Sequence, residues 1–278
     1  MKIIRVYPRR TAATPDDADV RIACPPGLFD QADEVHISVT FTWDRPLAER
    51  LAEQWRRVAP VRIGGPAHDD PGGEFVPGVY VKRGYVVTSR GCPNRCWFCS
   101  VPLREGLTVR ELPITEGWNL LDSNLLACSD EHIRAAFRML AEGKIKYKRR
   151  PEFTGGLEAA RLQQWHVDAL RELRPKQLFF AYDTPDDLEP LQRAGKMLLG
   201  AGFTRESHQL RCYVLCGYRG DDVGKAEERM HQAIDAGFIP MAMVYRPWDG
   251  LAGDGWVRWA RSWARPAIIN AKLRGVTA

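Results

Sequence analysis

Cys92, Cys96 and Cys99 stand in the string Cys92-Pro93-Asn94-Arg95-Cys96-Trp97-Phe98-Cys99, which gathers three soft sulfur donors within eight residues. Thiolates are the ligands that iron–sulfur clusters prefer. Three of them shared among four irons leave one iron open to chelation by a small molecule that carries an amine and a carboxylate. A structural zinc site instead needs a fourth Cys or His at short spacing to close its tetrahedron, and none follows within the loop. The spacing therefore points to a 4Fe-4S cluster and one-electron chemistry. The other four cysteines, Cys24, Cys128, Cys212 and Cys216, are scattered and bring the total to an odd seven. A secreted disulfide framework does not look like this, and Cys212 and Cys216 read as small apolar core groups.

Such a loop needs a rigid frame. From Val79 onward, strand-like runs at 85–88, 119–121, 152–154, 177–182, 210–215 and 239–245 alternate with runs of helical apolar period at 130–142, 158–173, 188–201 and 224–236. Repeated strand–helix units imply a parallel sheet with helices outside it. About six of them make an α/β chain with a partial (β/α)6 barrel, whose ligands sit at the C-terminal ends of the strands. The cysteine loop follows the first of these strands. Upstream, strands at 2–7, 34–41 and 61–63 and a helix at 46–58 outline a small α/β segment. A Gly- and Pro-rich connection over 64–78 follows it. The expected division is 1–77 for the small segment, 78–250 for the barrel, and 251–278 for a terminal helix. That last helix docks through Trp256, Trp259 and Trp263, which share one face at spacings of three and four.

The 278 residues, 45% of them hydrophobic, suffice for one large core or one core with a small neighbour. No run approaches the about 18 apolar residues of a membrane span, and the opening Met1-Lys2-Ile3-Ile4-Arg5 has no apolar signal core. A cytoplasmic protein without a membrane partner is expected. The formal net charge of +5 permits an acidic partner without demanding one. Its densest patch is Lys144-Ile145-Lys146-Tyr147-Lys148-Arg149-Arg150. That run fits phosphate neutralisation on a nucleic acid, and equally a solvated loop before a strand.

The full string Ser89-Arg90-Gly91-Cys92-Pro93-Asn94-Arg95-Cys96-Trp97-Phe98-Cys99 resembles the cluster loop of radical S-adenosylmethionine (SAM) enzymes. Its flavour is closest to the branch with cobalamin-dependent radical SAM proteins and methylthiotransferases. The resemblance implies an enzyme that binds a 4Fe-4S cluster through Cys92, Cys96 and Cys99. It also implies reductive cleavage of SAM to an adenosyl radical, hydrogen abstraction from a substrate, and an electron donor such as flavodoxin or ferredoxin. It places Phe98 beside the adenine. The contact to the methionine amine falls on Asp122-Ser123-Asn124, which replace the family's common Gly-Gly-Glu. Asp183 becomes a ribose or substrate contact, Gly217 a point of close backbone approach to adenosine, and Tyr245 and Arg246 contacts to the adenine or carboxylate. Asp122 and Asp183 also fit the plainer role of turn or helix caps, and Gly217 that of a turn glycine.

Acid or base participants are not singled out; His68, Glu158, His166 and His208 are candidates, with surface or core roles as the alternative. Residues 32–38 and 63–66 resemble pieces of a cobalamin-binding domain, but the Asp-x-His-x-x-Gly string of that domain is missing, so cobalamin is not expected. A methylthiotransferase needs a second cysteine triplet before residue 80, where only Cys24 occurs. The substrate is a nucleic-acid base, a modified nucleotide or a small molecule. The rival reading is a zinc- or cluster-stapled nucleic-acid-binding module without catalysis.

Overall fold

Apolar residues at i, i+3, i+4 and i+7, namely Ala48, Leu51, Ala52 and Trp55, give helix α1 (Arg45–Trp55) the single buried face that lets it lie on a sheet. The computed structural model describes residues 1–247, 253–264 and 269. The sheet under α1 comprises β1 (Ile3–Tyr7), β2 (Val20–Ile22), β3 (Glu34–Ser38) and β4 (Val61–Gly64). Its order is β2-β1-β3-β4, with every neighbouring pair parallel. Ile4, Val6, Val35 and Ile37 pack beneath α1 with Leu51 and Trp55, in a core separate from that of the rest of the chain. Strand β2 is a departure from the expected pattern. Its three half-buried residues carry no alternation that sequence could show.

The remainder begins with β5 (Gly84–Val86), the two-residue β6 (Ser89–Arg90), α2 (Val101–Glu105) and β7 (Arg110–Glu111). Then follow β8 (Gly117–Leu120), α3 (Asp130–Tyr147), β9 (Glu152–Leu157), α4 (Gln164–Leu173), β10 (Gln177–Tyr182), α5 (Leu188–Gly200), β11 (Leu210–Cys216), α6 (Val223–Asp235), β12 (Ile239–Val244) and α7 (Asp254–Arg261). Six strands form a sheet in the order β12-β11-β10-β9-β8-β5, all pairs parallel. The alternation in the sequence thus yields a mixed α/β chain on parallel sheets, as expected. Because each strand lies beside its predecessor, right-handed crossovers bring α3 to α6 onto one face. Leu120, Phe153, Leu178, Phe180, Leu210, Cys212 and Val214 point to those helices and share their core. The alternate positions, Asn119, Thr154, Phe179, Arg211 and Tyr213, belong to the opposite face by the period of two.

Two helices differ from expectation for local reasons. Helix α3 runs on to Tyr147, so Lys144 and Lys146 of the basic run occupy its last turn, where cations suit the negative end of the helix dipole. Helix α4 starts at Gln164 instead of 158. A 3-10 turn over Ala159–Arg161 precedes it, and Gln163 and His166 cap its first turn reciprocally. Helix α7 carries Trp256 and Trp259 in edge contact at 5.4 Å, and Trp263, just beyond it, is 1% exposed. Most of the rest of the expected 251–278 helix lies outside the described residues. Among the described residues no helix is long and apolar enough to cross a membrane.

Candidate functional site

The cysteine loop leaves the sheet beside β5 and is pinned at its base by Asp122, which follows β8. Asp122 is 2% exposed and accepts hydrogen bonds from Thr88 N at 2.6 Å, Thr88 Oγ1 at 2.6 Å and Ser89 Oγ at 2.9 Å. Burial raises its pKa, and the same hydrogen bonds oppose that rise. His132 Nε2 of α3 lies 3.1 Å from Thr88 Oγ1 and extends the clamp into the helix layer.

Glu105, the last residue of α2, ties the loop from its other side. Its Oε2 accepts Gly91 N at 2.9 Å and Ser123 Oγ at 2.8 Å, while Oε1 accepts Arg104 Nη2 at 2.8 Å and faces Arg90 Nη1 at 3.5 Å. Burial works against charge on this group. The hydrogen bonds from Gly91, Arg104 and Ser123 outweigh it and hold the carboxyl below its ordinary value. The strands β6 and β7 pair antiparallel, Ser89 opposite Glu111, and close the segment that holds the cysteines and α2.

Cys92 and Cys99 are half-buried and Cys96 is exposed. Burial, then the neighbouring Cys99 and Cys92, push the Cys96 thiol up to about 11, so the three sulfurs lie within electrostatic reach of one another. Among the described residues no three Cys, His, Asp or Glu side chains are gathered as a set able to hold a metal ion. The donor chemistry nevertheless suits a thiolate-bound cluster, and a second observation adds to it. Asn124 Nδ2 donates to Glu158 Oε2 at 2.6 Å and to Cys92 Sγ at 3.4 Å, while the buried Asn124 Oδ1 has no partner. A carboxylate only accepts, so the amide nitrogen must face Glu158 and the oxygen is the group left over. Glu158 is also paired with Arg161 at 2.7 Å.

Aromatic rings gather at Trp97 of the loop, which is itself exposed. Trp97 meets Phe98 at 5.3 Å, Tyr218 at 5.5 Å and Tyr245 at 5.4 Å, each edge-on, and Tyr245 N donates to Cys216 O at 2.7 Å. Arg246 lies over the ring of Trp43 at 4.2 Å, and Trp43 stacks on Phe41 at 4.6 Å, so the end of β12 meets the N-terminal segment. Gly217 has φ +77°, and a Cβ there would sit 2.8 Å from Trp256 Cγ. What approaches this glycine closely is therefore an indole of the chain itself.

Asp183, just past β10, is raised to about 7 by burial and then by Asp187, with a backbone hydrogen bond from Leu215 opposing. Its charge registers at Cys96 and Cys99, which sets it beside the loop. The structure thus brings Phe98, Ser123, Asn124, Asp183 and Tyr245 around the three cysteines and gives Asp122 an anchoring position beneath them.

Other candidates lie elsewhere. His166 is 1% exposed in the helix layer, with Nδ1 accepting Gln163 N at 3.0 Å. His68 belongs to the first sheet's surroundings, and His208 precedes β11, at the N-terminal ends of the strands. The basic run, between α3 and β9, also sits at the N-terminal ends, and much of it is engaged. Lys144 donates to Leu173 O at 2.9 Å, Lys146 pairs with Glu116 at 2.5 Å, Arg149 covers Trp118 at 5.0 Å, and Arg150 donates to Pro175 O at 2.6 Å.

Glu105, Trp97 and Tyr218 escaped the reading of the sequence as site residues. For Glu105, as for Tyr218, only proximity in space could have told. No protein-family model and no curated protein matches this chain.

Proposed function

We propose that the chain is a radical SAM enzyme in which Cys92, Cys96 and Cys99 hold a 4Fe-4S cluster, whose chemistry with bound SAM is reductive cleavage to a 5'-deoxyadenosyl radical and hydrogen abstraction from a substrate. The observation that carries this reading is the Cys92-x3-Cys96-x2-Cys99 loop beside a buried, unpartnered acceptor, Asn124 Oδ1, at the end of the second strand of a sequential parallel sheet. We read that sheet as a partial (β/α)6 barrel over 78–250, with 1–77 as a second unit against its mouth.

In this reading Asn124 Oδ1 accepts a hydrogen bond from the ammonium of the methionine moiety, and the Glu158 carboxylate behind it favours the same positive charge. Asp122 keeps the loop at a fixed height above the sheet, and Ser123 contributes through Glu105. Phe98 lies along the adenine, while Trp97, packed on Tyr218 and Tyr245, forms an aromatic rim beside the loop. Asp183 acts on a ribose or substrate hydroxyl; a carboxyl that titrates near neutrality both donates and accepts. Arg246, engaged with Trp43, shapes the mouth. The exposed side of Cys96 is the point of access for an electron donor such as flavodoxin or ferredoxin.

A small-molecule substrate is favoured over a nucleic acid, because the basic run lies at the N-terminal ends of the strands, away from the cysteine loop at their C-terminal ends, and its groups are largely engaged within the chain. The same placement weighs against a nucleic-acid-binding module built on that run.

Anaerobic reconstitution with iron and sulfide, followed by incubation with SAM and dithionite, tests the reading. Brown protein that forms 5'-deoxyadenosine and methionine, with none formed by Cys96→Ala, is the expected result. A colourless protein holding one zinc and leaving SAM intact would overturn it.

A further inference from the structure

We propose that Arg211 binds the anionic group, a carboxylate or phosphate, of a ligand lying on the helix-free face of the six-stranded sheet, with the ligand's flat apolar part against Tyr213, which stacks on the buried Phe179. The placement follows from strand alternation. Leu210, Cys212 and Val214 of β11 enter the helix-side core, so Arg211 and Tyr213 face the other way. Arg211 stands level with Phe179 on β10 and Ile239 on β12, and neither neighbour offers an acceptor side chain.

Among the described residues the Arg211 side chain makes no hydrogen bond and no ion pair, and its Nε is fully buried without a partner. Two other arginines among the described residues also hold a buried Nε without a partner, but each faces an acid: Arg90 has Glu105 at 3.5 Å and Arg229 has Asp221 at 2.8 Å. Arg211 alone of the three has none. Burial lowers its affinity for its proton, with Tyr213 the only other group acting on it. Glu152 of β9, on the same face by strand alternation, is already paired with Lys176 at 3.0 Å. A half-buried guanidinium without a counter-ion is costly to keep, and its planar fork of donors matches an oxyanion in two-point contact.

The surroundings add shape. Phe179, which is buried, and the half-buried Tyr213 stack at 4.6 Å with 17° between their planes, so Tyr213 is the ring of the pair that a further ring can reach. Tyr213 OH donates to Thr154 O at 3.4 Å, and Thr154 Oγ1 donates to Asn119 Oδ1 at 2.7 Å, which completes a polar wall beside the rings. A small aromatic or otherwise flat acid fits this combination. The anion site stands apart from the cysteine loop; that its ligand is the substrate rests on the radical-enzyme reading above.

Calorimetric titration of the full chain with benzoate, phenyl phosphate and the neutral benzyl alcohol tests the site without any cluster or SAM. Binding of at least one anion by the parent is expected, with no binding of benzyl alcohol. Affinity should fall at least tenfold in Arg211→Gln and lie between the two in Arg211→Lys, which keeps the charge and loses the fork. Preference for benzoate or for phenyl phosphate identifies the anion. The unliganded Arg211→Gln protein should melt higher than the parent, because it no longer holds an unpaired charge. Absence of anion binding, equal affinity in all three proteins, or a lower melting temperature for unliganded Arg211→Gln overturns the proposal. Cys96→Ala should bind the anion as the parent does, so failure of the cluster chemistry leaves this result untouched.

Discussion

Glu105 accepts the backbone N–H of Gly91 at 2.9 Å, so a carboxylate at the end of α2 holds the residue directly before Cys92. Replacing it by Gln leaves Arg104 and Arg90 without their buried counter-charge. Breaking a buried pair from one side costs about 3–5 kcal/mol, and Glu105→Gln should melt well below the parent at neutral pH. The carboxyl is held below its ordinary value of 4.5 in the fold. Its contribution is therefore present above the unfolded value and is lost as pH falls through the folded one. The difference in melting temperature between parent and Glu105→Gln should shrink on acidification below about pH 4.5.

Asn124 Oδ1 is the buried acceptor left without a partner beside Cys92. A hydrogen bond to a charged group contributes about 1.5–3 kcal/mol. Equilibrium binding of SAM to the reconstituted protein should weaken about ten- to hundredfold in Asn124→Ala. Unchanged affinity would remove Asn124 from the site.

Asp183 titrates near 7 in the fold, well above its ordinary 3.8. The folded state then binds more protons than the unfolded one between these values, so this group lowers stability progressively as pH rises through the interval. Asp183→Asn removes the effect. Thermal melts should show the variant gaining on the parent from pH 4 to pH 8, with the gain levelling above about pH 7.

Gly155 and Gly156 are adjacent in β9 but stand in different surroundings. A Cβ on Gly155 would meet Asp122 O at 2.4 Å and the carbonyl carbon of Leu121 at 2.6 Å, whereas one on Gly156, at φ +96°, meets nothing within 4 Å. Gly156→Ala carries only backbone strain, about 1–2 kcal/mol. Gly155→Ala must push the backbone at Asp122 and with it the clamp on Thr88 and Ser89. Denaturant unfolding should rank Gly155→Ala as the more harmful, and it alone should disturb reconstitution of the loop.

Much of this architecture is legible in the residue pattern. The strand-like runs at 177–182 and 210–215 and the helical period at 188–201 and 224–236 coincide with β10, β11, α5 and α6 to within a residue or two. These segments are buried on a defined face, and burial is what hydrophobic periodicity records. The site was legible where chemistry is written in a local string, at Cys92, Cys96 and Cys99. It was illegible where a residue acts through tertiary contact. Glu105 is one acid among 35 acidic residues until Gly91 and Ser123 are seen to converge on it. Asp122 reads as a ligand contact from its place after the second strand, yet both its oxygens are engaged by Thr88 and Ser89. The basic run fits a phosphate surface or a solvated loop before a strand, and only the ends of α3 and β9 reveal that it lies at the N-terminal ends of the strands. Arg211 gives no signal in sequence, because an arginine in a strand is ordinary until its neighbours are known.

Trp97 rests on Tyr218 and Tyr245, residues far downstream in the chain. Synthesis proceeds at about 5–20 residues per second, so the cysteine loop leaves the ribosome several seconds before the rings on which Trp97 packs. During that interval Trp97 belongs to a nascent chain in which its aromatic partners do not yet exist. The order of translation thus makes Asp122 and Glu105, which pin the base of the loop, long before the rings at its tip.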